Sequence, residues 1–267
     1  MHMKRFFTLA AAVAALTAAT PAFAQLWDNT AQGNGTMITH PNGMTGTVAG
    51  THRSAISTGS TTFGTGAASG FRLADNFVVT GAGWNVSSLQ FFGYLTGATA
   101  PSATALTIRI WDNTPGAAGS NIIFGNDTTN VLSSTGFATG PGGLAIYRTT
   151  ETDTAGATRR IQQLTSNVNL TLGAGTYWVD FAYTGVSFTP PLSAVGGLPP
   201  AGNALQFNAT TGTWGPALDN TGTGPQMDFP FIVNGTAVVP EPSTAAMLIS
   251  GLGLAAAAIR HRRNRRA

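Results

Sequence analysis

The stretch FRLADNFVVTGAGWNVSSLQFFGYL, residues 71–95, holds two runs rich in aromatic and β-branched residues, with Gly81-Ala82-Gly83 between them. Such runs favour strands, and a short glycine-rich segment between two of them is typical of a tight turn. The stretch therefore predicts two strands joined by a tight turn. VNLTLGAGTYWVDFAYT, residues 168–184, repeats this arrangement around Gly173-Ala174-Gly175.

Period-two alternation extends this pattern along the chain. In LTIRIWD, residues 106–112, three aliphatic side chains fall on one face, and Thr107 and Arg109 fall on the other. Further strands are predicted at Val131–Phe137, Ala145–Thr149, Ala204–Asn208 and Phe229–Val238. Eight or more short strands with Gly and Pro turns predict a single antiparallel, jelly-roll-like β-sandwich over residues 25–238. We expect loops in the first 45 residues of that span and at Leu192–Gly202.

Charge is scarce in the span 25–239. It holds six arginines, no lysine and nine acidic residues, so its formal charge is −3, and the whole chain has no cysteine. Nucleic-acid binding requires a basic surface, which this composition does not supply. The fold has to rest on burial and backbone pairing, because no disulfide or cysteine metal site can form.

Residues 1–24 have the three parts of a secretory signal peptide. A basic Lys-Arg pair precedes an apolar run over 6–19, and small residues at Ala22 and Ala24 favour cleavage before Gln25. The run of 14 residues is shorter than the roughly 20 that a spanning helix needs. We therefore predict export through the secretion translocon and cleavage by signal peptidase.

The C-terminal end, VPEPSTAAMLISGLGLAAAAIRHRRNRRA at 239–267, predicts a membrane anchor. Seventeen residues without charge, 243–259, make a helix of about 25 Å, the low end of what crosses a bilayer. The arginines that follow are expected on the cytoplasmic side. The residues expected to direct processing are Val239, Pro240, Glu241, Pro242, Arg260, Arg262 and Arg263.

A Pro-Glu-Pro motif, a short apolar helix and a terminal arginine cluster together resemble the PEP-CTERM sorting signal. The resemblance implies that exosortase recognises the tail in the inner membrane of a Gram-negative cell and removes or exchanges it near the motif. It also implies a final place at the cell surface or in the extracellular matrix, and a link to exopolysaccharide or biofilm. A structural or adhesive role is therefore expected.

Several stretches of the body resemble a recurring group of exported proteobacterial proteins that often carry this tail. The resemblance implies one β-rich domain. The stretches are LWDN at 26–29, ADNFVVTGAGWNVSSLQFFGYLTG at 74–97, IWDNTPG at 110–116, VLSST at 131–135 and GTYWVDF at 175–181.

The sequence favours a protein that is not an enzyme. Ser57 lies in a Ser/Thr/Gly loop rather than at a strand-to-helix turn, and His40 and His52 are the only histidines of the body. Glu151 is its only glutamate, so a glycosidase would need aspartates to converge in three dimensions. A secreted glycan hydrolase is therefore the least favoured alternative.

No cofactor is expected, with structural calcium as the open alternative. Asp112-Asn113 follows a predicted strand and Asn126-Asp127 lies in a predicted turn, where acidic and amide oxygens suit calcium. Neither pair has the three or more carboxylates of a dedicated loop. Asx residues in turns more often bond their own backbone.

The remaining candidates are tryptophans. Flat rings can stack on sugars while Asp and Asn bond the rim. Trp111 precedes Asp112 and Asn113 and falls on the polar side of its strand, and Trp214 lies in the predicted loop TGTWGP. Packing in or beside the core is the interpretation favoured for each tryptophan taken separately. These four residues are the candidates for a glycan platform, and a carbohydrate-binding module is the alternative to a purely structural or adhesive role. Trp178 is the one most expected in the core.

Overall fold

The computed structural model describes residues 24–29, 69–139, 143, 145–148, 157–190, 202–218 and 226–238, the backbone of 51–54 and 63–64, and the isolated positions 251, 261 and 264. The elements are strands: β1 (Ala24–Asp28), β2 (Thr51–Ser54), β3 (Phe63–Gly64), β4 (Arg72–Val79), β5 (Trp84–Tyr94), β6 (Ala105–Trp111), β7 (Ile122–Gly125), β8 (Ser134–Phe137), β9 (Ala145–Arg148), β10 (Ile161–Leu172), β11 (Gly175–Thr184), β12 (Phe188–Thr189), β13 (Leu205–Asn208), β14 (Thr213–Pro216) and β15 (Phe231–Ala237).

Two antiparallel sheets face each other. The seven-stranded sheet runs β1-β15-β5-β10-β8, with β12 and β3 added at the end of β5. The six-stranded sheet runs β14-β13-β4-β11-β6-β7, and β2 and β9 form a separate parallel pair. This arrangement confirms the all-β, antiparallel prediction and is consistent with a β-sandwich.

The two Gly-Ala-Gly turns cross between the sheets. The predicted strands around them exist, but β4 and β11 pair in the six-stranded sheet while β5 and β10 pair in the other. Neither turn therefore closes a hairpin. At Gly83, where φ is +120°, a side chain would press on the carbonyl oxygen of Leu172, so the close packing of the two turns requires glycine.

The core lies between the two sheets and is rich in aromatic rings. Leu106, Ile108 and Ile110 are buried there, as their alternation predicted. The ring centroids of Phe91 and Phe181, one from each sheet, are 4.7 Å apart. Such contacts add to the burial that joins the sheets in a chain without disulfides.

The outer face of the seven-stranded sheet is partly covered. Phe92, Tyr94, Ile161 and Ile232 on that face form a second apolar cluster with Ile146 of β9. The six-stranded sheet differs, because polar and charged residues alternate with the core residues along its central strands.

Several placements differ from the sequence predictions. Trp214 lies in β14 rather than in a loop, and β1 lies inside the segment predicted to be loop-rich. Trp178 is 6% exposed and therefore buried, as expected, but it pairs with Trp111 on the outer face of the six-stranded sheet rather than packing in the main core.

Other predictions fall mostly on residues that the structure does not describe. The signal peptide, the connection Leu192–Gly202 and the tail helix 243–259 lie outside the described residues, apart from Ala24, Gly202 and Gly251. Among the residues described, there is no helix with both the length and the apolarity needed to cross a membrane.

Candidate functional site

A cleft of about 590 Å³ opens on the outer face of the six-stranded sheet. This volume lies within the range of small-ligand sites. Residues of several strands and of the loop 112–121, which follows β6, line the cleft. The aromatic and charged side chains of the lining include Phe71, Arg72, Arg109, Trp111, Asp127 and Trp214.

Both tryptophans predicted for a glycan platform line this cleft. Trp111 ends β6, Trp214 lies on the edge strand β14, and both are half-buried. Their strands are separated by four strand spacings, or about 19 Å at about 4.8 Å each. A ligand that reaches from one of these strands to the other is therefore longer than one sugar.

Asp180 lies beneath the cleft and organises its floor. The register of β11 places it beside Arg109 of β6, and its side chain is 0% exposed. Arg72 pairs with Oδ1, while Arg109 Nε donates to Oδ2 at 2.8 Å and Trp111 Nε1 donates to the same oxygen. These charge-assisted bonds satisfy both carboxylate oxygens and fix the three donors.

The two arginines differ in their surroundings. Arg72 is buried; it pairs with Asp180 and its Nη1 donates to Thr107 Oγ1 at 2.8 Å. Burial lowers the pKa of Arg72 from its ordinary value, although Asp180 acts in the opposite direction. Arg109 instead reaches toward the rim, stacked over the Trp111 ring at 5.2 Å and with Nη1 3.7 Å from Asp127.

The loop 112–121 forms the wall of the cleft. Asp112 and Asn121 hold the two ends of the loop together. The Asp112 carboxylate accepts from Asn121 N at 2.7 Å and from Asn121 Nδ2 at 3.0 Å, and these hydrogen bonds lower the pKa of Asp112. Gly116 has φ +80° and lies so close to Trp214 that a Cβ there would be 3.1 Å from its Cδ1. The loop thus reaches across the sheet from one tryptophan to the other.

Asp112 and Asn113 do not line the cleft with the tryptophans. Asn113 accepts from Thr114 N at 2.7 Å, so both residues bond within the loop. Their direct contact with a glycan stays a prediction. Of the predicted processing residues, Ala24 and Gln25 belong to β1, and the others lie outside the described residues: Ala22, Val239, Pro240, Glu241, Pro242, Arg260, Arg262 and Arg263.

Sequence reasoning missed the charged floor. Arg72, Arg109 and Asp180 come from three strands that are distant in the chain, and only sheet register brings them together. One signal was available: each is a charged residue with a large apolar residue on either side in sequence, in a chain with few charges.

Metal binding has no structural support in the described part of the chain, where no group of three or more His, Asp or Glu side chains clusters. Asn126 Oδ1 accepts from Thr128 N at 2.9 Å and Thr129 N at 2.7 Å, which is an Asx turn. Calcium, like the expected lack of a cofactor, stays a prediction.

The comparisons with known proteins concern the C-terminal end. The family model described as the PEP-CTERM protein-sorting motif matches residues 238–263, and no curated protein and no solved structure matches the chain. The motif implies an exported protein, a membrane-anchored intermediate and exosortase as processing partner. The prediction from the sequence is thus confirmed: the chain ends in a PEP-CTERM protein-sorting motif.

Proposed function

We propose that exosortase delivers this protein to the cell surface or the extracellular matrix, where its β-sandwich has a structural or adhesive role linked to exopolysaccharide. The sorting motif is the observation that carries this proposal. It begins at residue 238, directly after β15, whose last residue is Ala237. The backbone N of Val238 donates to Gly83 O at 2.8 Å, so the motif follows the sandwich without a spacer.

Sorting is tested by the intact mass of the protein from the outer surface of cells with and without their exosortase. We expect a form that starts at Gln25, ends near Pro240–Pro242 and is lost without the enzyme. A form that keeps its terminal arginines in both strains would overturn the proposal and leave a tail-anchored periplasmic protein.

A second candidate function is glycan binding through the cleft. The observation that favours it is that Trp111 and Trp214 line one cleft together with two arginines and an aspartate. Flat rings suit pyranose faces, while charged and polar groups suit hydroxyls. An adhesive protein that holds exopolysaccharide would need such a site, so the two candidates are compatible.

Binding fits this cleft better than hydrolysis. A glycosidase needs two carboxyl groups that face the scissile bond. Asp127 and Asp180 both lie near Arg109, but Asp180 is buried and both its oxygens already accept hydrogen bonds. Asp127 alone faces the cleft among the carboxylates of the described residues.

Glycan binding is tested by retention of the full chain, in mild detergent, on the exopolysaccharide of the producing cell. Trp214→Ala should weaken retention about tenfold or more, because an aromatic ring that stacks on the ligand carries much of the affinity of an interface. Val78→Ala is the matched control: it removes an exposed apolar side chain from the same sheet, outside the cleft. Equal retention of both variants and wild type would contradict the proposal.

A further inference from the structure

Two guanidinium groups share the one buried carboxylate beneath the cleft. Arg72 and Arg109 both pair with Asp180. Asp127 is the other acidic group near them, but its side chain is 59% exposed and its oxygen lies 3.7 Å from Arg109 Nη1, too far for a hydrogen bond. Besides its share of Asp180, Arg109 therefore has only a loose ion pair with an exposed carboxylate.

Arg109 is the residue that can take a further anion. Arg72 already uses Nε and Nη2 on Asp180 and Nη1 on Thr107. Within the described residues, Arg109 has one hydrogen bond, from Nε to Asp180, which leaves its two terminal nitrogens for a ligand. Its side chain is 14% exposed and lines the cleft.

The position of Arg109 is fixed before any ligand arrives. Asp180 holds its Nε, and its guanidinium lies over the Trp111 ring. A planar guanidinium held in this way presents two parallel N–H groups, which match the two oxygens of a carboxylate. Aromatic side chains at the other end of the cleft, Phe207 and Trp214, pack on each other with centroids 5.4 Å apart and offer a surface for neighbouring rings.

We propose that the cleft selects acidic polysaccharide, with a uronic-acid carboxylate bound by Arg109 and a sugar farther along the same polymer stacked on Trp214. This inference rests on the proposed glycan-binding function and adds its ligand class. The carboxylate takes the place next to Arg109 that Asp127 now occupies loosely. The separation of the two tryptophans agrees with a polymer segment as the ligand.

Nonspecific attraction of polyanions is not expected to imitate this selectivity. The span 25–239 has a formal charge of −3, whereas the full chain has +3 because its two ends are basic. The terminal arginines attract acidic polymers equally in every variant, so the difference between a substitution in the cleft and one outside it reports the local site.

The test measures the affinity of the full chain in mild detergent for three probes: polygalacturonate, the same polymer with its carboxyls reduced to alcohols, and dextran sulfate. Wild type should bind polygalacturonate about tenfold to a hundredfold more tightly than the reduced polymer, the range of one charge-assisted hydrogen-bonded pair. Arg109→Gln should reduce this difference about tenfold or more, to the part that the terminal arginines supply in every variant. Arg160→Gln, on an arginine that stacks on Phe137 away from the cleft, is the matched control.

A gain-of-affinity variant keeps the test decisive if Arg109→Gln does not fold. Asp127→Asn removes the competing rim charge at an exposed position and should strengthen polygalacturonate binding more than binding of the reduced polymer. Equal binding of both polymers by wild type would overturn the acidic selectivity and leave glycan binding intact. Tighter binding of dextran sulfate that Arg109→Gln weakens and Arg160→Gln does not would overturn the carboxylate assignment. If no polymer binds, including the cell's own exopolysaccharide, the proposed glycan function fails as well.

Discussion

Asp75 and Asp180 are both buried, and they lie on opposite faces of the same sheet. Asp75, on the core side of β4, accepts from the backbone N of Phe229 at 2.7 Å and of Asn76 at 2.7 Å. Asp180, on the outer side of β11, accepts from side chains that line the cleft. One carboxylate fixes the path of the chain, and the other fixes the shape of a surface.

The partners of a buried carboxylate thus indicate its task better than its burial does. Backbone donors belong to the fold, so Asp75 joins the segment before β15 to the six-stranded sheet. The side chains that donate to Asp180 also line the cleft, so their positions determine the surface that a ligand would contact. Asp180 should therefore affect both stability and binding, and Asp75 should affect stability alone.

Removal of the Asp180 carboxylate should have the largest effect. Asp180→Ala leaves two arginines without their buried partner, and we expect a loss of about 3–5 kcal/mol in the free energy of unfolding. Urea denaturation measures it. Asp127→Ala, which removes the exposed neighbour of the same arginine, should change stability by less than about 1 kcal/mol. Similar small losses in both variants would contradict the role given to Asp180.

Removal of the Asp75 carboxylate should destabilise without affecting the ligand. Asp75→Ala leaves the amides of Phe229 and Asn76 unsatisfied, at about 1–3 kcal/mol each, so a loss of about 2–6 kcal/mol is expected. The same denaturation experiment measures it. Retention on exopolysaccharide, measured under conditions where the variant is folded, should equal that of wild type. Weaker retention of Asp75→Ala would contradict the expectation that Asp75 affects stability alone.

The contribution of Asp75 should depend on pH. Burial, and then the charge of Asp228, raise its pKa well above the ordinary value, outweighing the hydrogen bonds it accepts. The folded state therefore binds this proton more tightly than the unfolded chain, whose carboxyl has a pKa of about 3.9. This stabilisation is complete below that value and is lost as pH rises through the raised pKa.

The measurement is the urea midpoint across that pH range, for wild type and for Asp75→Asn, which carries no titrating carboxyl. The wild-type midpoint should fall with rising pH relative to that of the variant. Parallel pH profiles for the two proteins would show that Asp75 titrates alike in both states.

A substitution at Gly116 tests whether the position of the Trp214 ring, at the edge of the cleft, affects binding. Gly116→Ala should lower stability by about 1–2 kcal/mol, because the positive φ disfavours a side chain, and should displace the Trp214 ring. Gly119→Ala is the matched control, since φ there is +79° but an added Cβ meets no atom within 4 Å. Denaturation should give similar losses, while only Gly116→Ala weakens glycan retention. Equal glycan retention by Gly116→Ala and Gly119→Ala would indicate that Trp214 is not part of the binding surface.

The sequence predicted the strands well and their connections poorly. Alternation in residues 106–111 and the runs on either side of Gly81–Gly83 gave real strands, because a half-buried strand has to alternate. A glycine turn specifies only that the chain reverses. After the turn, the next strand either pairs with the preceding strand or crosses to the other sheet. The outcome depends on which sheet buries the apolar side chains of each strand, and the turn residues do not encode this.

The site was predictable only in part. Trp111 and Trp214 were identified one by one, from ring chemistry and neighbouring residues, and the structure brings them to one cleft. The grouping of Asp180 with Arg72 and Arg109 gave no local signal, because these partners are 108 and 71 residues away in sequence. Only the register of β4, β11 and β6 places these three residues together.

The most direct test of the glycan-binding account is hydroxyl-radical footprinting of the full chain, with and without the exopolysaccharide of the producing cell. The account predicts that the polysaccharide protects Trp111 and Trp214 from oxidation and leaves Trp27, which is half-buried on β1 of the other sheet, unchanged. Protection of Trp27 instead, or no protection at the cleft while polysaccharide is bound, would contradict it.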